Sequence, residues 1–309
     1  MIISAKTMVN KFLNYKFYHS VEEEYALELN LLRKKMTGRK NSTARLAVIL
    51  HLYYQEGWIA IETKLKNITE NFDLFITMPT ENKKLAEKVK HSYPDAYFIK
   101  TPNLGRDILP FLKTMTVVRN FDNYKLVLKV HTKKSPHRED GDDWNNEILD
   151  ELIPNSKYLI KENINNLIDN FGALTGPAKQ YVSLAVNFET NGKDMTKIMK
   201  KLFKNRQLSV QVLQTNRLKY GFFAGSMLWM NIDKLSPLFD DHNCRSKYFA
   251  RERGQIDGTY AHAMERMFSL YPEINKNDLY KMEEIKISKL NSYRGSIPDW
   301  FRDKPSDDY

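Results

Sequence analysis

Leu46-Ala47-Val48-Ile49-Leu50-His51-Leu52 is apolar at every position except His51. The run shows no polar–apolar alternation, so it offers no wet face. A strand covered on both faces belongs in a parallel sheet between two layers of helices. Working outward from it, the downstream chain repeats the same unit. Trp58, Ile61, Leu65 and Ile68 stand at helical spacing, and Phe72 to Thr77 reads as a second strand. Leu85 and Val89 mark a second helix, and Ala96-Tyr97-Phe98-Ile99 a third strand. Ile108, Leu112 and Met115 mark a third helix, and Tyr124 to Val130 is a fourth strand, again almost wholly apolar. Strand–helix units in series predict an α/β fold with a mostly parallel sheet, flanking helices and right-handed crossovers.

The second half is more helical and less regular. Trp144 to Leu152 and Lys157 to Phe171 read as helices, and Ala173 to Pro177 as a short strand and turn. Residues 187–219 are polar and basic and carry no clear period. Tyr220 to Asn231 reads as one strongly apolar strand, and Gly258 to Leu270 as a helix with Asp257 at its N-cap. Upstream of the first strand, Asn14 to Lys35 has helical spacing before Gly38-Arg39-Lys40-Asn41-Ser42 breaks it. We read this preface as a cap on the domain, with an anionic membrane surface as the alternative. The expected division is an N-terminal helical extension at 1–43, one α/β domain at 44–272, and a C-terminal helix and tail at 273–309.

Composition narrows the function classes. The single cysteine, Cys244, permits neither an internal disulfide nor a cysteine-rich zinc site. The first residues lack the apolar core of a signal peptide, and no run approaches the ~18 apolar residues of a membrane span. We therefore expect a cytoplasmic protein, peripheral on the inner face of the cell membrane. The net charge of +10 calls for an anionic partner. The lysines are spread along the chain among glutamates, with no nucleic-acid-binding module, so a phosphorylated ligand or an anionic membrane fits better than nucleic acid.

Open parallel sheets bind ligands at the carboxyl ends of their strands. The residues just past each strand are therefore the candidates. His51 and Thr77 end the first two strands, where a nucleoside can sit. Asn103-Leu104-Gly105-Arg106-Asp107 follows the third. There Gly105 permits close approach, Arg106 can clamp phosphate, and Asp107 is expected to cap the following helix. His131-Thr132-Lys133-Lys134-Ser135 follows the fourth, and Lys129, His131 and Lys133 project to one side of an extended chain. Two lysines and a hydroxyl at a strand end suit a diphosphate. Farther on, Gly225 interrupts an apolar strand, as happens where a ligand or backbone comes close. Glu252 and Asp257 precede a helix on which His262, Glu265 and Arg266 share a face. Acids and a histidine at a ligand edge suit sugar transfer, in which a carboxylate takes the proton of an attacking hydroxyl. Asp140 and Asp142 form an Asp-x-Asp, but it stands well past the strand end; no divalent metal is expected.

Together these motifs resemble the rhamnan synthesis protein F family, glycosyltransferase-like proteins of bacterial surface-polysaccharide and O-antigen assembly. The resemblance runs from about Leu46 to Phe268. It rests on the strand ending in His51; on Asn103-x-Gly105-Arg106-Asp107-x-x-Pro110-Phe111; on His131-Thr132-Lys133-Lys134-Ser135-x-His137; on Trp144; and on His262-Ala263-x-Glu265-Arg266-x-Phe268. The N-terminal preface and the C-terminal tail lie outside it. The order of elements also resembles a GT-A fold, in which the fourth strand ends in a metal-binding Asp-x-Asp. Here His131 to Lys133 stand in that place, which implies that lysine charge replaces the metal.

The resemblance implies a nucleotide-sugar donor, dTDP-L-rhamnose, and transfer to a polyprenyl-diphosphate-linked or growing saccharide. His51, Thr77, Asn103, Gly105, Arg106, Asp107, His131, Lys133, Lys134 and Ser135 are the expected donor side. Gly225, Glu265 and Arg266 are the expected acceptor side. Asp257 is the first candidate for the base and Glu252 the second, with His262 beside them. The alternative is a non-catalytic nucleotide- or glycan-binding component of a polysaccharide assembly complex.

Overall fold

The computed structural model describes residues 5–38, 43–80, 82–132, 141–168, 172–203 and 220–274. It opens with a long helix, α1 (Ala5–Gly38). The α/β series follows as β1 (Leu46–His51), α2 (Trp58–Leu65), β2 (Phe72–Met78), α3 (Lys83–Ser92), β3 (Tyr97–Lys100), α4 (Ile108–Val118) and β4 (Leu126–His131). Two helices come next, α5 (Gly141–Leu152) and α6 (Lys157–Ile168), and then the short strands β5 (Leu174–Thr175) and β6 (Tyr181–Ser183). Helix α7 (Phe188–Leu202), strands β7 (Gly221–Phe223) and β8 (Leu228–Asn231), and helix α8 (Tyr260–Ile274) complete the order.

The main sheet has six strands in the order β3-β2-β1-β4-β8-β5. β1 pairs in parallel with β2 and β4, and β2 with β3, while β8 runs antiparallel between β4 and β5. Strand β1 lies at the centre and all six of its residues are buried, which is why its sequence does not alternate. Ala47, Ile49, Phe75 and Val127 face one layer with α1, α4, α7 and α8. Val48, Leu50, Ile76, Leu126 and Leu128 face the other, where Trp58, Ile61 and Leu65 of α2 and Ile160 and Ile164 of α6 pack. Each fully buried side chain of this size contributes about 1.5–3 kcal/mol.

The apolar stretch from Tyr220 to Asn231 is two strands rather than the single strand expected. β7 pairs with β6 in a separate two-stranded sheet, and β8 joins the main one. Gly225 (φ 90°) and Ser226 (φ 52°) break the run, because left-handed residues cannot continue a strand. The aperiodic stretch after residue 187 contains α7, whose buried Met195, Ile198 and Met199 form a short stripe among polar residues.

Helix α1 packs on the domain through Val21, Tyr25, Leu29, Leu32 and Met36, a stripe at three- and four-residue spacing. Glu22 of α1 pairs with Lys113 at 2.5 Å and accepts the Ser246 N–H at 2.6 Å. Lys113 also sits 5.3 Å from the Tyr25 ring centre. Burial pushes the Glu22 carboxyl up, but Lys113 and the Ser246 N–H outweigh it and hold the group below its ordinary value. Among the described residues no helix is long and apolar enough to cross a membrane.

Candidate functional site

Register places three of the sequence candidates in one row. His51 is paired with Thr77 on one side and with His131 on the other. Residues paired across parallel strands project to the same face, here the layer of α1, α4, α7 and α8. The row closes the carboxyl edge of the sheet. His51 Nδ1 and the Thr77 hydroxyl are 3.0 Å apart. Burial drives the His51 ring down to about 3, so it is neutral at physiological pH.

Below this row lies a charged centre. Lys129 is 1% exposed, and its ammonium donates to the Asp107 carboxylate, to the Ser226 carbonyl at 2.9 Å and to the Ser226 hydroxyl at 2.8 Å. The Ser226 hydroxyl in turn donates to Asp107 at 2.7 Å. His131 Nε2 donates to the Gly225 carbonyl at 2.8 Å and stands 3.9 Å from Asp107. The Gly225 N–H donates to Glu265 at 2.7 Å. The carbonyl and the N–H of Gly225 are therefore both held, the first from β4 and the second from α8. Burial would raise the Asp107 carboxyl, but the charges of His131 and Lys129 and the hydrogen bonds from Lys129 and Ser226 hold it well below the carboxylate range.

Asp107 is thus the counter-ion of a buried lysine. Its side chain makes no cap hydrogen bond, although it stands at the N-terminus of α4, so the capping role expected from the sequence gives way to this ion pair. Gly105 (φ 71°) and Arg106 (φ 55°) turn the chain left-handed just before it. The Gly105 carbonyl then accepts the first helical N–H groups, from Ile108 and Leu109, each at 3.1 Å. A Cβ on Gly105 would lie 2.6 Å from Leu109 Cβ and 2.6 Å from Phe249 Cδ1. The Lys129 ammonium, on the same side of β4 as His131, is spent inside the protein.

Arg106 faces outward from the same turn. It donates to the Gln255 carbonyl, and its Nε lies 3.5 Å from Glu252. The Arg106 side chain is 35% exposed and that of Glu252 28%, so this pair is reachable from water.

Asp257 is different. Its carboxylate accepts from Asn187 at 2.6 Å, Asn191 at 2.9 Å, the Gly258 N–H at 2.8 Å and Arg266 at 3.0 Å. Burial pushes its carboxyl up, but the charges of Arg266 and His262 and the two asparagines bring it below its ordinary value. Helix α8 starts at Tyr260, so Asp257 is not its N-cap. The Thr259 N–H donates to His262 Nδ1 at 3.3 Å, and the Thr259 hydroxyl meets the same atom at 2.8 Å. This reproduces one half of a capping box, the side chain that reaches back to the N-cap N–H, with imidazole in place of the usual glutamate. Nδ1 is therefore the acceptor and Nε2 carries the hydrogen. That Nε2 is buried and meets no hydrogen-bond partner among the described residues. Burial, then the charge of Arg106, lowers the His262 ring to about 4.

Glu265 and Arg266 serve different neighbours, Gly225 and Asp257, and Arg266 lies 4.4 Å over the Phe222 ring. Asn103 is exposed in the loop before Gly105. Lys133, Lys134 and Ser135 lie outside the described residues, as does Asp140. Among the described residues no group of three or more His, Cys, Asp or Glu is placed to hold a metal ion.

Sequence reasoning missed Ser226, Asn187, Asn191 and Gln255 as parts of the site. One signal ties Ser226 and Asn187 to it. The non-glycine residues with positive φ among the described residues are Arg106, Asn187 and Ser226. All three belong to this constellation. Non-glycine residues in the left-handed region cost about 1–3 kcal/mol each and gather where function needs the geometry.

A family model described as rhamnan synthesis protein F matches residues 6–277. The match takes in α1, which the motifs alone left outside. In Xanthomonas campestris pv. campestris, "Uncharacterized protein WxcX" is 36% identical over 168 residues in one strain and 36% over 170 residues in another. These matches cover 54% of this chain and 22% of each relative. The chain thus spans about a fifth of the length of the curated relatives it matches. With a family match over nearly the whole described fold, the chain belongs to the rhamnan synthesis protein F family.

Proposed function

We propose that the chain is a glycosyltransferase that takes a sugar from a nucleoside-diphosphate donor at the carboxyl edge of β1, β2 and β4. The observation that carries this reading is the convergence at that edge of the Asp107–Lys129–Ser226 centre, the His51–Thr77–His131 row and the partly exposed Arg106–Glu252 pair. The first two are internally satisfied and hold the edge rigid. The third is open to exchange.

A diphosphate arriving at Arg106 takes over its guanidinium, which is suited to phosphate oxygens. Glu252 is then released as a free carboxylate next to the donor. The acceptor hydroxyl attacks the anomeric carbon, the bond from that carbon to the phosphate oxygen breaks, and the nucleoside diphosphate leaves with the electron pair. The hydroxyl proton passes to Glu252. Asp257 must shed an arginine and two asparagines before it can accept a proton, so Glu252 takes the base role and Asp257 the task of anchoring Arg266 and His262. Lys133 and Lys134 follow β4 in sequence and supply further charge to the diphosphate. In this reading the donor is dTDP-L-rhamnose and the acceptor a polyprenyl-diphosphate-linked saccharide; the family's description, rhamnan synthesis, favours rhamnose as the sugar.

Calorimetry and turnover test this together. Glu252→Gln should bind dTDP-L-rhamnose as the wild type does and lose about 100-fold or more in transfer. Arg106→Gln should lose donor affinity. Unchanged affinity in Arg106→Gln, together with full turnover in Glu252→Gln, would remove the assignment.

A further inference from the structure

Residues 10–16 of α1, Asn-Lys-Phe-Leu-Asn-Tyr-Lys, are exposed without a break. Phe12 is 55% exposed, Leu13 54% and Tyr15 66%. Single exposed apolar residues need no explanation, but three within four positions, flanked by Lys11 and Lys16, do. Partial burial begins at Phe17 and Tyr18, and the apolar stripe on the domain begins at Val21. The helix therefore continues past its own docking surface with Phe12, Leu13 and Tyr15 in water.

The place where it leaves the body is informative. The Tyr18 hydroxyl donates to the Phe249 carbonyl at 3.0 Å, and the Arg251 guanidinium lies 3.8 Å over the Phe17 ring. Arg251 forms a bridge with Leu104, two residues from Arg106. The exposed turns thus emerge beside the loop that carries the outward-facing arginine of the site.

We propose that this end of α1 binds an anionic lipid surface, with Phe12, Leu13 and Tyr15 entering the headgroup boundary and Lys11 and Lys16 pairing with lipid phosphates. Two features favour lipid over a protein groove. Phe12 and Tyr15 share a face, but Leu13 stands about 100° round the helix from Phe12. A partner helix or groove reads one seam at three- and four-residue spacing, whereas a fluid interface accepts apolar groups on several sides while lysines reach for phosphate. The charge also matches: the chain carries +10, and Lys16 already sits 4.6 Å from the Phe12 ring centre, with its ammonium beside the aromatic tip. Bound this way, the loop bearing Arg106 lies near the membrane, where a lipid-linked acceptor is held. The inference rests on α1 and not on the donor reading.

The test is cosedimentation of the full chain with vesicles of phosphatidylglycerol and phosphatidylcholine, against vesicles of phosphatidylcholine alone. The wild type should partition to the anionic vesicles and be released by salt. The triple variant Phe12→Ser/Leu13→Ser/Tyr15→Ser should partition at least about tenfold less, and so should Lys11→Glu/Lys16→Glu. All these positions are exposed, so thermal unfolding should be unchanged, and donor calorimetry on the triple variant reports the donor reading separately. Equal partitioning of wild type and triple variant overturns the proposal, as does a wild type that ignores anionic vesicles. A wild-type oligomer that the triple variant dissolves into monomers also overturns it, because the occupant is then a second copy of the chain.

Discussion

Removing the ammonium of Lys129 tests the centre of the site most severely. Lys129→Met keeps the length and apolar stem of the side chain and deletes the charge. It leaves the Asp107 carboxylate without its main counter-ion and takes the donor from the Ser226 carbonyl and hydroxyl. Breaking a buried ion pair from one side costs about 3–5 kcal/mol. A domain has about 5–15 kcal/mol of stability, so the variant should fold but unfold at markedly lower denaturant. The pH dependence carries a sign of its own. In the wild type the Asp107 carboxyl titrates below its ordinary value. Its stabilisation is then complete above the unfolded pKa and is lost as pH falls through the folded one. In the variant, burial pushes the carboxyl upward against the charge of His131 and the Ser226 hydroxyl alone. Its folded pKa rises, and the penalty is felt most where the carboxylate is ionised. The gap between the two proteins should therefore be widest at neutral pH and narrow toward pH 5. Urea titrations followed by the fluorescence of the buried Trp58 and Trp229 measure this directly. Adding Asp107→Asn to Lys129→Met should recover part of the loss, because the stranded charge is gone. A cost below about 1 kcal/mol, the same at both pH values, would refute the buried ion pair.

Three further outcomes follow from single contacts. Gly105→Ala puts a Cβ 2.6 Å from both Leu109 and Phe249 at φ 71°, and should cost about 2 kcal/mol or more in urea titration; a neutral substitution would mean the turn is not left-handed. The His51 ring, lowered to about 3 by burial, should show no titration between pH 8 and pH 5 in a histidine NMR spectrum, and a midpoint near the ordinary ~6.5 would contradict its burial. Asp257→Asn should lower the unfolding midpoint, because Arg266 loses its carboxylate, at a cost of about 1.5–3 kcal/mol; an unchanged midpoint with abolished turnover would return the base role to Asp257.

The parallel half of the fold was legible because β1 and β4 are apolar on both faces and their helices keep a clean period. The row of His51, Thr77 and His131 was legible for the same reason, since the edge of a parallel sheet falls where the apolar run stops. What escaped was set by contacts distant in sequence. Lys129 meets Ser226 across 97 residues and Ser226 meets Asp107 across 119, and no local pattern announces either. Read locally, an aspartate before a helix is a cap. The tertiary ion pair with Lys129 overrides that reading. The break between β7 and β8 was hidden because Gly225 and Ser226 sit in an otherwise unbroken apolar run, and only their left-handed φ values separate the strands.

The central claim is sugar transfer at this edge. Its most direct measurement incubates the EDTA-treated full chain with radiolabelled dTDP-L-rhamnose and a polyprenyl-diphosphate-linked saccharide, then follows label in the lipid phase. The account predicts labelled product without added metal, and about 100-fold less from Glu252→Gln. No labelled product from the wild type, across rhamnose and the other nucleotide-activated hexoses and with divalent metal restored, would contradict it.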